Sequence, residues 1–105
     1  MSNNDISDFG PLKNFKKLKV IDLSFNKINN INVLENISKT NNKIEKLYLI
    51  GNMIKNVEIL KKNIFPNIIE INLDKNNVIK KDLKEIKMII QNNNNISNYR
   101  NKYIE

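Results

Sequence analysis

Apolar and polar positions alternate over three short stretches of this chain, and each stretch is followed at a fixed offset by an asparagine and a further apolar residue. The stretches are LKVIDLSFNKI from Leu18, IEKLYLIGNMI from Ile44 and IIEINLDKNNV from Ile68. A period of two predicts a strand in each, with Ile21 and Leu23, Leu47 and Leu49, and Ile71 and Leu73 on the buried side. The asparagines are Asn26, Asn52 and Asn76, 26 and then 24 residues apart. Recurrence at this interval predicts stacked units whose strands pair in parallel around one continuous core.

Between the strands the period changes to that of a helix. Val33, Leu34 and Ile37 share one helical face, and so do Val57, Leu60 and Ile64, after which Pro66 stops the segment. Beyond the third strand, Leu83, Ile86 and Ile90 line up with Ile89 beside them. This predicts a covering helix that shields the end of the stack and stops at the Asn92–Asn95 run. At the other end Phe9, Leu12, Phe15 and Leu18 recur every three residues, as expected of a cover for the first unit. The predicted organisation is a polar N-terminus over 1–8, a repeat domain over 9–92 and a loose Asn-rich tail over 93–105. The fold class is α/β: a solenoid with short parallel strands on its concave face, helical returns on its convex face and a C-terminal covering helix.

The asparagines have a structural task. After each strand the chain turns inward, and a side-chain amide can satisfy backbone groups that a curved loop cannot pair. Losing such a buried bond costs about 1–3 kcal/mol. Ile28, Ile54 and Val78 then close each turn.

The residues between the buried strand positions form the predicted binding surface. They are Val20, Asp22 and Ser24, then Lys46, Tyr48 and Ile50, then Glu70, Asn72 and Asp74. With three carboxylates and one lysine this face is acidic, so it repels a phosphate backbone. Tyr48 and Ile50 at its centre, ringed by polar groups, have the composition of an anchor for a protein partner.

Composition removes most catalytic chemistry. There is no cysteine and no histidine, so disulfides, thiolate metal sites and the commonest general base are absent. The two glycines, Gly10 and Gly51, make no phosphate-binding loop. The expectation is a non-catalytic binding module with no cofactor, metal or small-molecule substrate. No run is apolar enough to span a bilayer, and the N-terminus lacks the pattern of a secretory signal, so a nuclear or cytoplasmic protein without membrane contact is expected.

The net charge of +7 changes this picture only in part. Every cation except Arg100 is a lysine, and the chain is rich in Asn and Ile with no alanine, a bias that an AT-rich genome writes. Lys13, Lys16, Lys17 and Lys19 cluster near the first strand and are the candidate RNA contacts. Lys80, Lys81, Lys84 and Lys87 lie on the last helix.

The frame L-x-x-L-x-L-x-x-N-x-L, with Ile or Val at Leu positions, resembles the leucine-rich repeat. The longer first step and the shorter second one resemble the repeat domain of the TAP/NXF family of nuclear mRNA export receptors, over Ile21–Ile28, Lys43–Ile54 and Ile69–Val78. That resemblance implies assistance in mRNA or ribonucleoprotein binding and nuclear export, beside adaptor contacts. Lys75-Asn76 departs from the family's Gly-Asn. The alternative is a generic protein-interaction scaffold, such as a phosphatase-1 regulatory, spliceosomal or axonemal repeat protein. The N-x-I-x-x-I phrase of the phosphatase-1 regulatory repeat protein is echoed by Asn26–Ile31.

Overall fold

The structure, a computed structural model, describes residues 17–103. Three strands of three residues each, β1 (Val20–Asp22), β2 (Lys46–Tyr48) and β3 (Glu70–Asn72), form a parallel sheet in the order β1-β2-β3. The register is that of the sequence frame: Val20, Lys46 and Glu70 are neighbours, then Ile21, Leu47 and Ile71, then Asp22, Tyr48 and Asn72. Ile21, Leu23, Leu47, Leu49 and Leu73 are buried, and Ile71 is half-buried at the last strand. The mixture of a small parallel sheet with helices is the expected α/β class.

The return segments differ from one another. The first forms a helix, α1 (Leu34–Thr40), which buries Leu34 and Ile37 and keeps Val33 against the core. The second forms only a 3-10 turn, Glu58–Lys62, burying Ile59 and Leu60. The second step is two residues shorter than the first, and Asn63 takes a left-handed conformation with φ 53°. Pro66 then prevents continuation. A tighter coil gains rise per residue, so it spans the same layer with fewer residues.

The last helix, α2, runs from Lys80 to Tyr103 and passes through the Asn92–Asn95 run rather than stopping there. Asparagine is a weak helix former but costs well under about 1 kcal/mol per residue, and no glycine or proline interrupts this stretch. Ile86 is buried, Ile89 and Ile90 are half-buried, and Leu83, expected in the covering face, stays 39% exposed. The helix packs on the 3-10 turn, where the Lys61 ammonium meets Asp82 at 2.5 Å and Glu85 at 3.3 Å, with Glu58 on its own turn at 3.0 Å. Three carboxylates around one ammonium raise the Lys61 pKa, with Asp82 the largest contributor. Asn63 and Asn93 add a reciprocal pair of amide bonds at 3.3 and 3.0 Å. At the opposite end the expected cover, Phe9, Leu12 and Phe15, lies outside the described residues, and Leu18 is 40% exposed.

Asn52 and Asn76 each stitch their unit to the one before. The Asn52 carboxamide oxygen accepts the Asn26 and Ile28 N–H groups, and its nitrogen donates to the Leu23 and Leu49 carbonyls. Asn76 repeats the arrangement one unit on, accepting from Ile54 N–H and donating to Leu49 and Leu73. Asn26 donates to Leu23 and Ser24. The residue before each asparagine, Phe25, Gly51 or Lys75, has a left-handed φ of 57°, 68° or 59°. A Cβ on Gly51 would stand 2.6 Å from the Phe25 ring, so glycine is needed there for both backbone and space.

Two expectations follow. Asn52→Ala leaves buried backbone groups unpaired and should cost at least about 1–3 kcal/mol, read as a lower denaturation midpoint. An unchanged midpoint would show that the stitching contributes nothing. Gly51→Ala should cost about 1–2 kcal/mol for the left-handed backbone alone. Adding Phe25→Ala should recover the further steric part, so the double variant is more stable than the two single losses predict.

Candidate functional site

Parallel pairing brings the alternate strand positions into rows. Val20, Lys46 and Glu70 form the first row and Asp22, Tyr48 and Asn72 the second. The third is Ser24, Ile50 and Asp74, joined through Phe25 N–H to the Ile50 carbonyl at 2.6 Å and Gly51 N–H to the Asp74 carbonyl at 2.9 Å. Two of these residues are occupied within the fold. Ser24 is buried, and its hydroxyl oxygen accepts Ile50 N–H at 3.1 Å. It was expected to face a partner, but its short side chain folds back to finish the backbone pairing beyond the strands. The Asp22 carboxylate accepts Ser24 N–H, and the Asn72 amide oxygen accepts Asp74 N–H, each at 3.0 Å. Both end their strands while remaining on the open face.

Tyr48 stands at the middle of the sheet. Its hydroxyl donates to the Glu70 carboxylate at 3.0 Å across to the neighbouring strand. That bond raises the Tyr48 pKa, because ionising the phenol would forfeit the donor and set two anions together; partial burial and Asp22 push the same way. Lys46, Tyr48 and Ile50 are half-buried, whereas Asp22, Glu70 and Asp74 are exposed. Three carboxylates against one ammonium leave a negative field over a largely neutral floor. The face can therefore recognise a basic surface, and Tyr48, held in one orientation, can pack against it.

Phe25 belongs beside this face and carried no signal as a candidate contact. It is 46% exposed, lies over Gly51 and has the Lys75 ammonium 5.8 Å from its ring centroid. A glycine at the equivalent place in the second unit was the clue that this position turns left-handed. Asn41 was also missed: it is buried, its amide nitrogen donates to the Leu18 carbonyl at 2.8 Å and its amide oxygen accepts Lys43 N–H, closing the first return segment.

The lysines are divided. Lys13 and Lys16 lie outside the described residues; Lys17 and Lys19 are exposed, and the Lys19 carbonyl accepts the N–H groups of Glu45 and Lys46. Lys80, Lys81, Lys84 and Lys87 are exposed on α2, whose Asp82 and Glu85 turn towards Lys61. Among the described residues no helix is long and apolar enough to cross a membrane. Nor is there, among them, a group of three acidic side chains placed to hold a metal ion.

Because the folded-state pKa of Tyr48 is raised, its bond to Glu70 is intact below the ordinary tyrosine range near 10 and is lost as pH rises through the higher folded value. In a Tyr99→Phe/Tyr103→Phe background, the phenolate absorbance of Tyr48 should therefore appear above pH 10. Glu70→Gln should move it back down. Titration of Tyr48 at the ordinary value in both proteins would show that the bond is not held in solution.

Comparison with known proteins adds one match. The family model for leucine-rich repeats, two copies, matches residues 1–36. No curated protein and no solved structure matches the chain. The family match covers the first strand and its asparagine, and the same frame recurs in register at β2 and β3. Together they support a leucine-rich repeat protein.

Proposed function

We propose that this chain is a solenoid-type protein-interaction module that takes a basic partner surface on its strand face. The observation that carries this reading is the Tyr48 side chain, tethered to Glu70 at the centre of three paired strands. Asp22, Lys46, Ile50, Asn72 and Asp74 surround it, while Ser24 supports the face from beneath. A partner gains contact with a pre-oriented aromatic and with carboxylates that need no rearrangement. Leucine-rich repeats are generally non-catalytic binding modules, and the family match points the same way.

A role in mRNA export, with RNA at Lys13, Lys16, Lys17 and Lys19 and a place in the nucleus, rests on the resemblance in repeat lengths. No comparison supports it. The strand face itself is unsuited to phosphate.

Affinity capture from nuclear and cytosolic extracts, with and without nuclease, should compare the wild-type chain with Tyr48→Asp. A protein retained by the wild type after nuclease treatment and lost on Tyr48→Asp is the expected result. Retention unaffected by Tyr48→Asp would remove the strand face from the interaction. Capture abolished by nuclease would favour the RNA reading.

A further inference from the structure

The sheet ends abruptly at β3. In the first unit Leu23 N–H and Phe25 N–H donate to β2-side carbonyls of Tyr48 and Ile50, and the Lys19 carbonyl accepts Glu45 N–H. One unit later Leu49 N–H and Gly51 N–H donate to the Asn72 and Asp74 carbonyls, and the Glu45 carbonyl accepts Ile69 N–H. The equivalents in the third unit are Leu73 N–H, Lys75 N–H and the Ile69 carbonyl. They point away from β2, and among the described residues no strand lies beyond β3.

Along this edge runs an open groove of about 510 Å³ between β3 and α2. Its apolar side is formed by Ile71, Leu83, Ile86 and Ile90 and its β3 rim by Glu70, Asn72 and Asp74, while Lys87 and Gln91 stand on its α2 side. The incomplete burial of Leu83 and Ile71 has its cause here: α2 covers the end of the core but stops short of the strand edge.

We propose that this edge accepts an extended polypeptide segment as a fourth strand, one that alternates basic and apolar side chains. Strand addition uses the outward backbone groups for affinity and the alternating pockets for choice of sequence. An added strand in register would place every second side chain over Ile71 and Leu83. The side chains between them would lie beside Glu70, Asn72 and Asp74, where lysine or arginine is complementary. A second copy fits poorly. Two β3 strands paired antiparallel about Asn72 would set Glu70 of each opposite Asp74 of the other, and like charges directly opposed are destabilising. The proposal rests on the protein-binding reading in taking a polypeptide as the partner and shares Glu70 and Asp74 with the strand face, but its hydrogen bonds come from β3 backbone groups that the Tyr48 anchor does not use.

The probe is a short capped peptide alternating lysine and valine, with a glutamate–valine peptide as its counterpart, titrated into the full chain. Fluorescence anisotropy gives affinity, and amide hydrogen exchange reports on Leu73 and Lys75. The lysine–valine peptide should bind and protect both amides, and N-methylation of its alternate amides should abolish this. Glu70→Lys/Asp74→Lys, at two exposed positions, should weaken it about tenfold. Tyr48→Asp should leave the protection in place, so failure of the strand-face reading shows separately from failure of this one. No binding, binding without protection of Leu73 and Lys75, or equal binding of the glutamate–valine peptide would each overturn the proposal. So would a dimer of the chain alone with those amides already protected, which would assign the edge to a second copy.

Discussion

Everything in this fold depends on pairing backbone groups across the gap between stacked units, and the asparagine side chain is what spans that gap. A turn that curls inward after three strand residues leaves N–H and C=O groups buried without partners of their own kind. Asn52 satisfies groups in its own unit and in the preceding one, and Asn76 does so one step further on. The Leu23 and Leu49 carbonyls each receive two such amides. The left-handed residue before each asparagine is the companion condition, because it aims the amide at these groups. In the first unit that residue is a phenylalanine, and its ring is accommodated because the next unit has Gly51.

The core and the ends follow from this stitching in different ways. With strand spacing set, each return segment has only to cross the layer and fill it. The longer first return does so as α1 and the shorter second as a 3-10 turn, yet both bury a comparable pair of aliphatic side chains. Where the repeats end, α2 supplies the cover, docked through buried Ile86 and flanked by the Lys61 cluster and the Asn63–Asn93 pair. The cover is centred on the 3-10 turn rather than on β3. Hence the core is closed while the strand edge beside it stays open.

Charge is sorted by the same geometry. Carboxylates on α2 are consumed inward by Lys61, leaving lysines outermost on that helix. Carboxylates on the strands project from the strand face, where Glu70 accepts the Tyr48 hydroxyl and Asp22 accepts Ser24 N–H. A chain with a net charge of +7 thus presents an acidic strand face, and overall charge is a poor guide to what that face binds.

Spacing alone was enough to locate the three strands, their buried residues, their register and the asparagines, because these are dictated by periods of two and of about 25 residues that local chemistry imposes on any stacked turn. The strand-face rows were legible for the same reason. What spacing could not show was how groups far apart in the chain divide their bonding. Ser24 was lost from the open face because a backbone N–H 26 residues away claims its hydroxyl. The path of α2 past Asn92–Asn95 and the exposure of Leu83 depend on where the helix docks, not on the helical period of its apolar residues. Phe25 and the open edge of β3 emerge only in the folded chain, since each is defined by a neighbour, or by the lack of a further strand, that no local pattern encodes.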